Sequence, residues 1–529
     1  MPDRLRPALA GLGAAVMTGL LLSACEQLVY QQRLPFNPPP DSTSGFLGYF
    51  RPADHLTTCG NCHISYQAEW AQTKHAHAYA DLLASGHADP SCYGCHTVNA
   101  RGNALTVAAG YDVTPDSAYQ DVQCESCHGP GFTHVQSPTR QNAPLASIEA
   151  DTGLTNGCGE CHTGKPHNPF VEQWAQSAHG SGPGWDHAKT NPTCQPCHEG
   201  RAAIAIKFGD PSNYVEKADS ADYQRIVCAV CHNPHGSQYV HQLRASISTP
   251  TRDNLCVMCH SREGTPTPPT FRGPHAAQGL LVLDEDVGWI PPNFQYDTTS
   301  IVGSHGTAAN PELCATCHVA AYDVTDSSGI LFHSTGHTFL PIPCVDASGV
   351  PLPPDSSCTV DQRDFRACAA SGCHASADVA RTVFLTVKSR MEYLTDQLWT
   401  DTNNNGTIDP SPTDGGLLPK IVANAATAAD SNEINLSDNT LTVAEGAIWN
   451  AQLAATHDRP QWLNGKVFGR TFSAHYSSGE GVHNPFLLEA LMIASIQAVE
   501  NTYGVSPSAP IDLGTHMGRP PGLRLAVRR

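Results

Sequence analysis

The chain has 529 residues, of which 40% are hydrophobic, and it contains 44 Gly and 41 Pro. This apolar content is low for several packed cores, so we expect something other than aliphatic side chains to supply part of the buried surface. The formal charge of −19 argues against nucleic acid and anionic lipid as partners and favours partners with a positive patch. The 21 Cys and 27 His residues are the unusual part of the composition.

The beginning of the chain is typical of a secretory signal. Arg4 and Arg6 form a positive start, an apolar stretch follows, and Leu-Ser-Ala-Cys closes it at Cys25. This ending resembles the bacterial lipobox, so we expect residues 1–24 to be removed and Cys25 to carry the lipid that anchors the protein to the membrane. The alternatives are a plain signal peptide with an incidental Cys and an uncleaved anchor. The sequence thus predicts an exported bacterial lipoprotein of the outer membrane, on its periplasmic or cell-surface face, with residues 25–58 as a Pro-rich tether.

Eight segments have the spacing Cys-x-x-Cys-His. Two thiols at this spacing can form thioethers with the two vinyl groups of one haem, and the His that follows is delivered to the iron as an axial ligand. Zinc ribbons are the main alternative, but zinc has no need for a His after every second Cys. The motifs define haem sites 1 to 8 in chain order: Cys59, Cys62 and His63; Cys92, Cys95 and His96; Cys124, Cys127 and His128; Cys158, Cys161 and His162; Cys194, Cys197 and His198; Cys228, Cys231 and His232; Cys256, Cys259 and His260; Cys314, Cys317 and His318.

A ninth motif is less regular. Cys368 and Cys373 are separated by four residues rather than two, and His374 follows, so we take them as haem site 9. Cys344 and Cys358 then remain, and a disulfide between them is the simplest prediction. A competing possibility pairs Cys358 with Cys373 across the haem and leaves Cys368 spare.

The second axial ligands are expected to be histidines. The chain has only six Met, so methionine is not available in number. Ligation by two His residues gives low potentials and no open iron position, which suits electron transfer better than oxygen binding.

An internal duplication predicts where some of these ligands lie. Trp70-Ala-Gln-Thr-Lys-His75 recurs as Trp174-Ala-Gln-Ser-Ala-His179, and each copy lies between two motifs. The haem region therefore begins with two three-haem modules, 59–150 and 151–250, and three further sites follow in 251–380. The alternative for both His residues is an exposed position on a helix.

Other second-ligand candidates are chosen by position. His134 and His235 lie in turn sequences that point a side chain back toward a nearby ring. The complete set of predicted second ligands is His75, His134, His179, His235, His275, His337, His87, His305 and His483. Solvent exposure or ordinary hydrogen bonding is expected for the remaining histidines, which are His55, His77, His167, His187, His241, His333, His457, His475 and His516.

The motifs and their surroundings resemble two known groups. Cys-Tyr-Gly-Cys-His-Thr at 92–97 and the segment from Val122 to Gly131 are similar to the tetrahaem cytochrome and hydroxylamine-oxidoreductase superfamily. Cys-Ala-Val-Cys-His-Asn-Pro-His-Gly at 228–236 resembles the doubled-motif cytochromes of anaerobically respiring bacteria. The resemblance implies a mostly α fold with extensive loops and little β structure, in which short helices wrap around a row of closely packed haems. It also implies ligand positions for His75, His134, His179 and His235.

The resemblance does not carry catalysis. Members that reduce nitrite replace one motif His by Lys, and no such motif occurs here. No residue could be assigned to the cross-linked Tyr of members that oxidise hydroxylamine, so no catalytic residue is predicted. The segment 479–485 resembles one at the ends of related proteins, where the His, here His483, reaches back to a haem; ordinary helix packing is the alternative.

Residues 381–529 contain no Cys. Apolar residues at helical spacing near 375–399, 441–455 and 485–503 predict a small helical cap, with Asn484 and Pro485 at the start of the last helix.

A calcium loop is predicted within this cap. Oxygen ligands alternate from Asp401 through Asn403 and Asn405 to Asp409, as in a calcium-binding loop. The twelfth position is Pro412 rather than Glu, and an Asx-rich turn is the alternative.

The sequence favours an electron carrier over an enzyme. About nine covalent c-type haems would pass electrons between redox partner proteins, such as periplasmic cytochromes or an outer-membrane conduit, in respiratory or extracellular electron transfer. One alternative is a reductase or oxidase that acts on a small nitrogen or sulfur compound at one open haem. Another alternative is a subunit of a cytochrome filament.

Overall fold

The computed structural model describes most of the chain. It covers residues 36–103, 105–150, 157–164, 169–209, 217, 223–267, 273–294, 304–307, 309–354, 356–370, 374–425, 433–434, 440–468, 470–473, 481–507 and 509–510. The predicted signal sequence, Cys25, Cys373, His167, His475 and His516 lie outside these ranges.

The described fold is mostly helical, as predicted, and its helices are short as far as residue 370. The α-helices, numbered α1 to α18 in chain order, are Ile64–Trp70, Ala78–Ala84, Tyr93–His96, Cys124–His128, Phe132–Gln136, Phe170–Gln176, Ala178–Ser181, Gly184–Ala188, Gln195–His198, Gly200–Phe208, Cys228–Cys231, Gln278–Leu283, Cys314–His318, Arg366–Ala370, Ala377–Leu398, Leu417–Asn424, Val443–Ala454 and Pro485–Tyr503. Short 3₁₀ helices occupy Pro52–Asp54, Cys59–Asn61, Lys74–His77, Pro90–Cys92, Ser117–Tyr119, Arg140–Asn142, Cys158–Glu160, Val240–Gln242, Ser304–Gly306, Val360–Gln362 and Pro460–Trp462.

The strands form three separate antiparallel pairs. These pairs are β1 (Tyr49–Arg51) with β2 (Leu56–Thr57), β3 (Tyr322–Asp326) with β4 (Gly329–Ser334), and β5 (Asn464–Val467) with β6 (Arg470–Ser473). The pair β3–β4 has a register shift between Val324 and Thr325. The prediction of little β structure is confirmed.

The apolar core lies mainly in the C-terminal part of the chain. The largest buried cluster combines side chains from α15 to α18 with Leu280 and Leu281 of α12. The clusters near the motifs are much smaller; one of them contains Ile148, Ala203 and Val230. The motif region therefore has little aliphatic core of its own, as the low apolar content predicts.

Helix α15 is the longest described helix because its sequence supplies both a cap and an apolar stripe. The Ser376 side chain accepts a hydrogen bond from the Val379 N–H at its start. Phe384, Val387 and Met391 are buried at spacings of three and four residues, which places them on one face of the helix.

The last helix, α18, begins and ends as the sequence predicts. The Asn484 side chain accepts from the Leu487 N–H, and Pro485 occupies the first helical position. Gly504 ends the helix in the left-handed conformation, with φ of 62°.

Hydrogen bonds fix the helical cap to the segment that follows site 7. The Trp449 indole N–H donates to the Gly264 carbonyl at 3.0 Å, and the Asn450 side chain bonds both the N–H and the carbonyl of Trp289. The Asn484 amide donates to the Leu281 carbonyl at 3.0 Å. The cap and the third group of sites thus share one core.

Two further features bear on the predictions. A disulfide joins Cys344 and Cys358, whose Cα atoms are 6.0 Å apart. Within the described ranges, no helix combines the length and the apolar content needed to cross a bilayer.

Candidate haem-binding sites

Each regular motif is a single helical turn. The backbone N–H of the motif His donates to the carbonyl of the first Cys, as His63 does to Cys59 at 3.0 Å and His232 does to Cys228 at 2.9 Å. Residues four apart lie on the same side of a helical turn. The turn therefore presents the first thiol and the imidazole of each motif to the same space.

Among the residues that the structure describes, eight of the nine motif histidines face a second histidine ring. The pairs, with the distances between ring centroids, are His63–His134 (6.4 Å), His162–His75 (6.0 Å), His128–His235 (6.3 Å), His260–His179 (6.1 Å), His198–His275 (5.9 Å), His232–His337 (6.3 Å), His374–His305 (6.5 Å) and His318–His483 (6.4 Å). In every pair one ring belongs to a motif and the other belongs to a predicted second ligand.

This separation fits an iron atom between two imidazoles. A metal–imidazole bond is about 2 Å long, so two rings on opposite sides of one metal have centroids about 6 Å apart. The rings of His55 and His77, neither of which belongs to a motif, are closer, at 5.2 Å. In the described part of the chain, no three or more Cys, His, Asp or Glu side chains converge as they would at a zinc site.

Backbone carbonyls orient several motif rings. The Nδ1 atom of His96 lies 2.8 Å from the Ala78 carbonyl oxygen, and that of His318 lies 2.9 Å from the Phe339 carbonyl oxygen. A carbonyl only accepts, so Nδ1 carries the proton and Nε2 keeps its lone pair for a metal. Metal-binding histidines commonly use this arrangement.

Burial favours the neutral form of several of the paired rings. It lowers the pKa of His75 to about 4, helped by the neighbouring His162 and His96, and it lowers the pKa of His179 to about 3. Burial also lowers the pKa of His260 and His318. A neutral imidazole is the form that binds a metal, so these sites favour ligation at ordinary pH.

His87 is the predicted second ligand that the structure does not bring to a motif histidine. Its ring is exposed, and its backbone N–H bonds the Ser85 hydroxyl beyond the end of α2. Among the described residues, no ring pair joins His87 to a motif histidine. His187, which follows His179 in the second module, is also exposed.

Two families of known proteins match parts of the motif region. Residues 58–129 match the family described as cytochrome c554 and c-prime, and residues 221–265 match the doubled CXXCH motif family. The multihaem cytochrome MtrA of Shewanella baltica (strain OS185) is 22% identical over 253 residues, which cover 44% of this chain and 66% of that protein, just under two thirds of its length. The chain is a multihaem c-type cytochrome. No solved structure matches it.

Sequence reasoning missed a buried carboxylate in the cytochrome. Glu125, inside motif 3, accepts hydrogen bonds from the backbone N–H groups of Leu47, Gly48 and Gly131 at 2.7 to 3.0 Å. Burial raises the pKa of Glu125 to about 7, although these three donors oppose the shift. The side chain thereby ties the segment before motif 1 to motif 3. Only its position between two motif cysteines could have drawn attention to it.

Replacing Glu125 by alanine should destabilise the cytochrome. The substitution leaves three backbone N–H groups without their acceptor in a buried place, which costs about 3 kcal/mol or more in the free energy of unfolding. Denaturant titration followed by circular dichroism measures this loss. Glu125→Gln is the control, because it keeps one acceptor oxygen and should lose less. Equal stability of Glu125→Ala and the wild type would contradict the structural role.

Two aromatic rings between haem sites were also missed. Phe170 lies 6.1 Å from the His162 ring and 4.9 Å from the His337 ring. Phe339 lies 4.6 Å from the His179 ring and 5.9 Å from the His337 ring. Neither phenylalanine belongs to a motif, so the sequence alone gave no signal for them.

Proposed function

We propose that the cytochrome carries about nine covalent haems, each held between two histidines, and that it transfers electrons in respiratory or extracellular electron transfer. The eight histidine pairs support this proposal. When bound, haem c supplies a one-electron iron couple at each site.

The residues of the chain suit this role. The motif cysteines would hold each haem, and two histidines at a site would leave no iron position for a substrate. Burial of rings such as those of His179 and His260 removes water from the ligands, and this environment is one of the factors that set the potential.

The mass and spectra of the purified protein test the proposal. We expect the mass to exceed that of the processed chain by nine haems, and we expect low-spin spectra with no carbon monoxide binding after reduction. A mass that corresponds to eight haems would show that site 9 carries no haem, and it would leave the proposed electron transfer unchanged. A colourless protein, or a haem protein that binds carbon monoxide without any substitution, would contradict the proposal.

We also propose a lipid anchor at Cys25 and a redox protein as the partner. The lipobox-like ending of the signal and the Pro-rich tether support the anchor, and the similarity to another multihaem cytochrome supports the partner. Cys25→Ala should move the protein from the membrane fraction to the aqueous fraction, whereas Cys344→Ala should not. Retention of Cys25→Ala in the membrane would contradict lipid anchoring.

We propose in addition that the loop at 401–409 of the helical cap binds calcium. Asp401 accepts from the backbone N–H groups of Asn405 and Gly406, so the loop is already folded around this carboxylate. The side-chain amides of Asn403 and Asn405 donate to Asp409. Binding of calcium would require each amide group to rotate so that its oxygen faces the ion. Calorimetric titration with calcium, compared between wild type and Asp401→Ala, tests the site.

A further inference from the structure

We infer that haem sites 1, 3, 4, 6, 7, 8 and 9 form one continuous row in that order, with site 2 beside site 4 and site 5 beside site 7 as side branches. This inference deepens the proposed function and rests on it. Which haem sites are neighbours in space is not determined by the order of the motifs along the chain.

Sites 1, 3 and 4 adjoin at the N-terminal end of the row. The Thr57 hydroxyl, which lies just before motif 1, is 3.8 Å from the Cys124 sulfur and brings motif 1 against motif 3. The Tyr66 ring of α1 lies 4.8 Å from His235, the second ligand of site 3. The Gly102 N–H donates to the Glu160 carboxylate of motif 4, and the Ser126 carbonyl of motif 3 packs against the same glycine, so motifs 3 and 4 are also neighbours.

Sites 4, 6 and 7 continue the row. The Trp174 indole N–H, in the helix that follows motif 4, donates at 2.8 Å to the carbonyl of Ile226, two residues before motif 6. Phe170 touches a ligand ring of site 4 and a ligand ring of site 6. Phe339 touches a ligand ring of site 6 and a ligand ring of site 7 in the same way. Each aromatic ring thus fills the space between two consecutive sites.

Sites 7, 8 and 9 complete the row at its C-terminal end. The Leu281 carbonyl, in the helix that follows motif 7, accepts a hydrogen bond at 3.0 Å from the side-chain amide of Asn484, which is adjacent to His483. Site 8 takes its second ligand from His483. The carbonyl of the preceding residue, Val482, accepts from Nδ1 of His305, the second ligand of site 9. Consecutive residues of the chain therefore serve both sites.

The two branches are attached in the same way. The Arg101 guanidinium lies 3.8 Å from the Cys95 sulfur of site 2 and donates to the carbonyl of Glu160 in motif 4 at 3.1 Å. The Arg262 guanidinium, just after motif 7, donates at 2.8 Å to the carbonyl of Thr193, just before motif 5. Each of these contacts joins the branch to one row site.

A lysine side chain attaches the second branch to the row in the way that Arg101 attaches the first. Lys207 of α10 donates to the carbonyl of Met258 at 2.8 Å. Glu160 and Met258 occupy the same place, directly before the second Cys of their motifs. Because the second module repeats the attachment made by the first, the branching follows from the internal duplication.

A structure of the haem-loaded full chain by electron cryomicroscopy tests the order directly. The iron nearest to site 2 should be that of site 4, and the iron nearest to site 5 should be that of site 7. If site 2 lies nearest to site 1 or 3, or site 5 nearest to site 4 or 6, the branching is overturned. Absence of haem would instead overturn the proposed function, so the two failures are distinguishable.

Potentiometric titration of two matched variants supplies a second test. Methionine raises the potential of the haem that it ligates, so His337→Met in the row and His275→Met on a branch each create one site that is reduced first. The electron on the reduced iron of site 6 should shift the reduction potentials of two neighbouring sites, whereas the electron on the reduced iron of site 5 should shift the potential of one. A shift of about 59 mV corresponds to a tenfold change in the one-electron equilibrium constant. Equal numbers of shifted potentials in the two variants would overturn the branching.

Discussion

Replacing His483 by alanine should convert one haem of the loaded cytochrome from low spin to high spin. His483 faces the motif histidine His318 across 6.4 Å with nearly parallel ring planes, 6° apart. Its removal leaves the iron of site 8 with a ligand on one face only, so reduced protein should bind about one equivalent of carbon monoxide. Electron paramagnetic resonance of the oxidised protein and carbon monoxide titration of the reduced protein measure the change.

His87→Ala is the matched control for this experiment. His87 was also predicted to be a second ligand, but its ring is exposed and no described ring pair joins it to a motif histidine. The variant should stay low spin and bind no carbon monoxide. The assignment of ligands would be wrong if His483→Ala stayed fully low spin or if His87→Ala opened a haem.

Replacing Arg390 by methionine should lower the free energy of unfolding of the helical cap by about 3–5 kcal/mol. Arg390 of α15 and Glu489 of α18 form an ion pair of 2.8 Å, and their side chains are 7% and 0% exposed. The single substitution removes the cationic group that compensates the buried Glu489 carboxylate, and this loss of compensation is the source of the destabilisation. Denaturant unfolding followed by circular dichroism measures it.

Two further variants isolate the buried charge as the cause. The double variant Arg390→Met with Glu489→Leu removes both charges and should recover most of the lost stability. Arg252→Met breaks a pair with Glu285 and Asp286 in which every side chain is at least 46% exposed, so it should cost about 1 kcal/mol or less. A double variant as unstable as the single one would show that packing, rather than charge, holds the two helices together.

Local chemistry determined how much of the cytochrome could be predicted from its sequence. The motif cysteines and histidines are fixed by spacing within one helical turn, and the ends of α18 are fixed by Asn484 and Gly504. These features depend on neighbours in the chain. They are therefore visible in any single sequence that carries them.

Pairing across the chain could not be predicted in this way. The duplication singles out His75 as a ligand, but it does not show that its partner is His162 of the next module. His87 follows His75 as His187 follows His179, yet both side chains are exposed to solvent. His87 lies beyond the end of its helix, and His187 lies within the short helix Gly184–Ala188. Likewise, no local pattern joins Leu280 to the core of the C-terminal cap, since that contact depends on distant helices.

The position of His483 has a consequence for biogenesis. Thioether bonds need only the few residues of one motif, so haem could be attached before the rest of the polypeptide has folded. His318 nevertheless requires a ligand 165 residues downstream, and His305 requires the carbonyl of Val482. Sites 8 and 9 should therefore mature last, and a chain that ended before residue 482 would leave the iron of site 8 open to oxygen and other small molecules.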